Sequence, residues 1–529
     1  MSFQSSEALP ALPSVEAHCC PCSHQQQQQT AAGMSRRRFL GGAALTGAAL
    51  SGLNWTSLAA ANHGTELPGP APERRALKVQ PILQYGVYTP RPQTSWRPWG
   101  AVHSQAEAEA EVARITEELD QLKAEADFPV EFQPVAAIRG PGELANIAGL
   151  EGADTVLMYA ACGPAATFNE LLQAGKDVVF FVRDRSGPHY LWYEIVSPRF
   201  LRQHSDQLQI QGMDEQDVVV DDQQEILWRL RALCGWHNTV GSKILAIGGP
   251  GAWAIGYNAI GQRVDQQWNL DIQTVTYDEL GKLIQAARDD SATVALAQRR
   301  AEQYLKLPDT TLETKREFVD HCFLLDHVFR ALMHEADCRA LTVHHCMGTI
   351  MDVSETAACL TLTTLNDDGY LAFCESDFVV IPSGLLLANI TGHPVFLHNP
   401  TWPHDGRITL AHCTAPRKMD GKNLEPARIM THFESDYGAA PKVEMRIGQR
   451  LTSLIPDFDG QLWQGLSSEV IENPFLPICR SQMDVRFDID SQRLAERLRG
   501  FHWMTCYGDY LREVGYALKR VPIGWDVLV

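Results

Sequence analysis

Thr155-Val-Leu-Met-Tyr-Ala160, Ala165-Ala-Thr-Phe-Asn-Glu-Leu-Leu-Gln-Ala174 and Asp177-Val-Val-Phe-Phe-Val182 follow one another within residues 155–182. Two continuous apolar runs of strand length flank a stretch with helical spacing. A strand apolar on both faces must be covered on both faces, and a helix joining two such strands gives a parallel sheet. The alternation continues outward. Residues 79–88 read as a strand, and residues 104–126, rich in Ala, Glu and Leu, as a helix with Ser104 at its N-cap. A first α/β unit spans 77–239, and 62–76 is a Pro-rich polar linker before it.

A second α/β unit, 240–393, opens with the strand 243–248, Lys-Ile-Leu-Ala-Ile-Gly. Strand text at 272–277 and a helix over 278–287 follow. In the stretch 311–337, Phe318, Cys322, Leu325, Phe329 and Leu332 recur at helical spacing. Residues 340–344 give a buried strand, 354–365 a helix and 370–374 another strand. Beyond about residue 394 the pattern becomes short alternating segments, at 407–412, 427–433, 442–447, 461–470 and 484–488. These predict an antiparallel sheet or barrel over 394–529, with a last helix over 508–518 closing the chain. The expected fold class is α/β: two doubly wound parallel layers plus a C-terminal antiparallel β-barrel-like domain.

The chain has 529 residues, 45% hydrophobic and 21% charged, with a net charge of −19. Those proportions suit a globular enzyme-sized protein, and so acidic a surface repels phosphate backbones, so nucleic acid is not an expected partner. No apolar run reaches the roughly eighteen residues of a membrane span. Residues 1–33 are low in complexity, with a Gln run at 25–29. Met34 then opens Ser-Arg-Arg-Arg-Phe-Leu at 35–40, an apolar run to Leu53 and Ala59-Ala-Ala61. That order reads as a twin-arginine (Tat) signal over 1–61, with either Met1 or Met34 as the start. The mature protein is then periplasmic or extracellular and is exported already folded. Ten Cys follow the signal, none in a CxxC pair and most in apolar runs, and read as buried free thiols.

Candidate chemistry lies late in the chain. Tyr370-Leu-Ala-Phe-Cys-Glu-Ser-Asp377 is a buried strand ending in two acids, Glu375 and Asp377. Ligands bind at the carboxyl ends of strands in such sheets, and two carboxylates there can hold a divalent cation or move a proton. Pro394-Val-Phe-Leu-His-Asn399 ends in ligand-capable groups, 407–413 ends near His412, and Phe501-His-Trp503 precedes Tyr507-Gly-Asp509. Together these offer oxygen and nitrogen donors at several strand ends. Each has a plainer alternative: Glu375 as a helix cap, His412 as a core histidine, His502 as part of an aromatic core.

These blocks resemble the L-fucose/L-arabinose isomerase family, in its broad sugar-isomerase-like branch. The resemblance rests on Leu365-Asn-Asp-Asp-Gly369 with Cys374-Glu-Ser-Asp377, on Thr391-Gly-His-Pro-Val-Phe396 continuing to Asn399 and Leu410-Ala-His-Cys-Thr-Ala-Pro416, and on His502 with Tyr507-Gly-Asp509. It implies two Rossmann-like layers with a β-barrel-like domain, and a metal-dependent aldose–ketose isomerase acting through a cis-enediol at a Mn²⁺ site. It places the base and first acidic ligand on Glu375, an imidazole ligand on His502 and the second acidic ligand on Asn399. His412 falls where the barrel begins, facing the same cleft. The resemblance also implies a small-molecule sugar substrate and a homo-oligomer, trimer or hexamer.

Asn399 departs from the pattern. An amide ligates through its carbonyl oxygen but exchanges no proton, and it leaves the site one negative charge short. Either Asp377 or another acid takes the second catalytic role, or metal binds weakly, or the reaction is altered or lost.

Other motifs weigh less. Gly248-Gly-Pro-Gly251-Ala-Trp253 follows a strand as a dinucleotide loop would, but Ala254 stands at the third glycine position. An exported NAD-dependent sugar oxidoreductase is therefore the alternative enzyme, and a sugar-binding protein on an isomerase scaffold the non-enzymatic one. His344-His345-Cys346 looks like a ligand cluster, yet neighbouring strand residues point to opposite faces. His321, His327 and His334 read as a solvated helix face. Arg91, Trp96, Arg97 and Trp99 read as a docking surface.

Overall fold

A computed structural model describes residues 66–190, 196–210, 213–253 and 255–529. The stretch expected to be a Tat signal and both candidate start codons lie outside these residues. The fold is mixed α/β, with two parallel sheets and a closed antiparallel barrel.

The first sheet holds β1 (Leu77–Gln84), β2 (Val130–Phe132), β3 (Ala136–Ile138), β4 (Thr155–Ala160), β5 (Asp177–Val182) and β6 (Val218–Val220), in the order β2-β1-β4-β5-β6 with β3 also on β1. All its pairings are parallel. β1 is shorter than the expected 79–88, because the chain leaves the sheet before the turn-rich residues 89–101. Helix Gln105–Glu125 starts as expected, with the Ser104 hydroxyl accepting from the Glu107 N–H. The expected linker is irregular over residues 66–76 but tied down. Arg74 donates to the Asn389 carbonyl at 2.9 Å, and Arg75 pairs with Asp154 at 2.7 Å.

The second sheet is parallel with order β11-β10-β7-β8, built from β7 (Lys243–Ile247), β8 (Asp271–Val275), β10 (Ala340–Val343) and β11 (Leu371–Cys374). From β7 the chain moves to β8 on one side, then returns to β10 on the other. That reversal puts a crevice at the carboxyl ends of β7 and β10, where open parallel sheets take ligands. Helix Arg316–Glu335 is shorter than the periodicity predicts, because residues 310–312 form β9 (Thr310–Leu312), which pairs with a strand from the C-terminal region. The expected helix at 354–365 is two helices, Thr349–Ser354 and Cys359–Asp367. The solvated-face expectation fails at His327, which is 3% exposed.

The C-terminal region has β12 (Phe396–Pro400), β13 (Arg407–His412), β14 (Ala427–His432), β15 (Tyr437–Val443), β16 (Arg450–Pro456), β17 (Leu462–Glu472), β18 (Ser481–Arg486) and β19 (Trp503–Tyr507). The order β16-β19-β12-β13-β18-β17 closes on itself through β16–β17, giving a six-stranded antiparallel barrel with no free edge within the ring. The chain does not end on its last helix. After Leu511–Leu518, β20 (Gly524–Val527) adds to β17 in parallel. That helix returns to the first sheet, where Tyr516 donates to Asp217 and Arg520 pairs with Asp177, both at 2.7 Å.

An ionic cluster locks the helices that deliver the second sheet's late strands. Asp326, fully buried, pairs with Arg330 at 2.8 Å and with Arg300, and accepts from the Thr364 hydroxyl at 3.1 Å. Burial alone would raise the Asp326 carboxyl, but the two guanidinium groups outweigh it and hold it at about 2. Asn366 then fixes β11 edge-on, donating to the Ala372 carbonyl and accepting from its N–H. Asp326→Asn leaves the buried Arg330 and the partly buried Arg300 short of a counter-charge. Thermal and denaturant unfolding are expected to show a loss of about 3–5 kcal/mol; a loss under 1 kcal/mol excludes this role.

Candidate metal centre

β11 ends at Cys374, and the chain then turns through two consecutive left-handed residues, Glu375 (φ 66°) and Ser376 (φ 48°). Side chains with a Cβ rarely hold this conformation unless the surroundings enforce it. Here three contacts do so. The Ser376 N–H donates to Thr342 Oγ1 on β10 at 3.1 Å, the Ser376 carbonyl accepts from the Gly251 N–H at 3.0 Å, and the Phe378 N–H donates to the Gly251 carbonyl at 3.1 Å. The approach is close: a Cβ on residue 251 would lie 3.0 Å from His344 Nε2, so that ring would have to give way. Glu375 therefore does not cap a helix. The next helix, Ile381–Thr391, begins six residues later without a side-chain cap.

Asp377, 2% exposed, faces away from Glu375's oxygens and toward the barrel. Its Oδ1 accepts from the Trp253 N–H at 3.2 Å and the Val379 N–H at 3.1 Å. Its Oδ2 lies 2.7 Å from His502 Nδ1. A carboxylate only accepts, so Nδ1 carries a proton and donates, which leaves Nε2 as the ring atom available to a metal. That Nε2 is buried, makes no hydrogen bond and points at Glu375 Oε2 from 3.3 Å. On the other side His412 Nε2 lies 3.4 Å from Glu375 Oε1. One carboxylate thus sits between two imidazoles.

Burial alone would raise the Glu375 carboxyl, but His412 and His502 outweigh it and hold it below the ordinary range. Burial would lower His412, but the Cys413 sulfur and Glu375 lift it well above the ordinary imidazole value. His398, buried beside both imidazoles, is pushed well below it.

The structure thus brings together Glu375, Asp377, His412 and His502, with Asp377 behind His502 rather than beside Glu375. Ligand atoms of Glu375, His412 and His502 all lie within 4.8 Å of one another. Asn399 stands on β12, where it pairs with Ala411 on β13 while the neighbouring His398 pairs with Trp503. Its Oδ1 is buried without a hydrogen-bond partner. A carboxylate flanked by two imidazoles, one with a ring nitrogen that makes no hydrogen bond, fits a divalent cation. The Asp377–His502 contact is the outer-sphere bond that orients imidazole ligands.

The glycine loop is a brace, not a phosphate cradle. The N–H groups of Gly248, Gly249, Gly251 and Trp253 all donate within the protein, to Val275, Ala246, Ser376 and Asp377. Phosphate binding needs those groups free. Trp253 instead stacks on Phe501 at 3.7 Å, forming a half-buried aromatic pair beside His502. The opposite-faces expectation for His344 and His345 does not hold, because His345 turns back at φ 52° and the rings lie 4.0 Å apart.

Sequence reasoning missed Cys359 and His432 as neighbours of this region, and nothing in their local text signals it. Cys374 and Cys413 were readable by position, each being adjacent to a candidate residue. Compared with known proteins, the chain matches no family model and no curated protein.

Asp377→Asn keeps the shape but loses the anchor for the Nδ1 proton. Divalent-cation affinity measured by calorimetry is expected to fall roughly 10–100-fold; unchanged affinity removes Asp377 from the site. In metal-stripped protein, the Glu375–His412 pair has a pH signature. The raised His412 value gives stability that is complete below the unfolded value of about 6.5 and lost as pH climbs through the folded one. The lowered Glu375 value gives stability present above about 4.3 and lost on acidification. The Tm difference between wild type and His412→Gln is expected to peak between these limits and to shrink toward alkaline pH. A difference flat with pH contradicts the ion pair.

Proposed function

We propose that this chain is a metal-dependent sugar isomerase-like enzyme that interconverts an aldose and a ketose and is exported folded through its Tat signal. The observation carrying this is the Glu375–His412–His502 cluster, with His502 oriented by Asp377 at a parallel-strand carboxyl end. The reaction type comes from the resemblance to L-fucose/L-arabinose isomerases. On this proposal the two parallel sheets are Rossmann-like doubly wound layers, and the active unit is a homo-oligomer.

Glu375 is the base. It is the one carboxylate with oxygens facing both imidazoles, while Asp377 is committed to His502 and two backbone N–H groups. It takes the proton from the carbon beside the carbonyl and returns it to the neighbouring carbon, through a cis-enediol. His412, His502 and Glu375 would hold a divalent cation of the Mn²⁺ type, with Asn399 as an oxygen donor. When bound, such an ion polarises the two substrate oxygens. The Trp253–Phe501 pair offers an apolar surface for the C–H face of a sugar ring.

Asn399 supports a second reading, a sugar-binding protein without turnover, since the position holds an amide where an acid is expected. Metal analysis of the purified full chain, followed by a panel of aldoses and ketoses, separates the two. The isomerase is expected to hold near-stoichiometric Mn, Fe, Co or Zn, lost in His502→Ala, and Glu375→Gln is expected to lower kcat by roughly 10²–10⁴-fold. Sugar binding without interconversion in any pair tested favours the binder. Absence of metal after Mn²⁺ addition overturns the isomerase.

A further inference from the structure

Between the barrel and the second sheet lies a group of buried thiols that the proposed reaction does not use. We propose that Cys359, Cys413 and His432 form a second metal site, for a thiophilic divalent cation of the Zn²⁺ type, with Cys374 as its fourth donor. It shares no ligand with the Glu375–His412–His502 cluster and stands or falls separately from the isomerase proposal.

The donors converge from separate elements. Cys359 is the first residue of helix Cys359–Asp367, Cys374 the last of β11, and Cys413 the residue after β13. His432 ends β14, where the pairing with β15 slips between Met430 and His432. Such a bulge breaks strand alternation and re-aims the side chain. Ligand atoms of Cys359, Cys413 and His432 lie within 4.8 Å of one another, and all three residues are buried. Cys374 falls within the same distance of Cys413 and His412. All three cysteines are free thiols.

One nitrogen of His432 is occupied and the other available. Nδ1 lies 3.0 Å from the Ser435 hydroxyl, the outer contact that orients an imidazole ligand, while Nε2 lies 3.8 Å from the nearest carboxylate oxygen, on Glu434. Sulfur donors select thiophilic ions over Mg²⁺, Ca²⁺ or Mn²⁺. Charge selects a divalent one: three thiolates and a neutral imidazole around +2 leave a single net negative charge, the balance of a Cys₃His zinc site.

The test uses the full chain with Glu375→Gln and His502→Ala, which disables the other cluster. The protein is chelated under reducing conditions and titrated with Zn²⁺ and, separately, Co²⁺. One equivalent of Zn²⁺ is expected to bind, and Co²⁺ is expected to give a near-ultraviolet sulfur-to-cobalt charge-transfer band. Adding Cys359→Ser is expected to weaken Zn²⁺ at least tenfold and abolish the band. Should that variant fail to fold, His432→Asn reads the same site with every thiol kept. No Zn²⁺ bound, a Co²⁺ adduct without the band, or wild-type affinity in these variants overturns the proposal. Failure of the isomerase proposal appears elsewhere, as no turnover with this Zn²⁺ site intact.

Discussion

His502 and Asp377 are 125 residues apart in the chain, and their 2.7 Å contact joins the lead-in of a barrel strand to the carboxyl end of a parallel one. The geometry of the centre depends on it. It holds Nδ1 as the donor and so turns Nε2 toward Glu375. It also consumes one oxygen of a buried carboxylate whose other oxygen is met by two backbone N–H groups. Asp377 is thus a positioning residue, with both its oxygens already hydrogen-bonded within the protein.

Asp377 can reach His502 only because the two residues before it turn left-handed. That turn is unfavourable in isolation and holds because neighbouring strands supply its partners: Thr342 from β10 and Gly251 from the loop after β7. Those strands flank the point where the sheet reverses its winding, so the crevice of the fold and the turn that fills it are one feature. Behind them the Asp326 cluster couples helix Arg316–Glu335 to helix Cys359–Asp367, which fixes where β11 begins. The constraint runs from a buried ion pair, through a strand, to the orientation of one carboxylate.

Much of this was legible in the chain. The apolar runs at 155–160 and 177–182 coincide with β4 and β5, since a strand buried on both faces has no polar residue to blur its ends. Glu375, Asp377, His412 and His502 were legible as ligand-type residues at strand ends. What was not legible was which acid faces which imidazole, because that depends on left-handed residues that carry no glycine as a marker. β9 was hidden inside a helical pattern because it is only three residues long and pairs with a strand more than a hundred residues away. The role of the glycine loop was hidden for a related reason: spacing shows where backbone N–H groups are, but only packing shows whether they are already used.

Asn399 changes the electrostatics of the centre more than its shape. On the proposed function, Glu375 is the one acid facing both imidazoles among the described residues, and an amide at position 399 gives the donor set one negative charge instead of two. A less negative surround holds a divalent cation more weakly, yet stabilises negative charge on a substrate oxygen better, since less of the field is cancelled by ligands. On the proposed function, an amide at position 399 is therefore compatible with chemistry at an enediol. It moves the burden from retaining the ion to retaining the substrate, and it makes the outer contact of His502 with Asp377 matter more. The thiol cluster obeys the same charge logic with the opposite result. Soft anionic donors in a buried site more than offset the charge of a divalent ion, which suits permanent retention and leaves little field for catalysis. On the two proposals, adjoining donor sets of different hardness divide the tasks of holding structure and acting on substrate.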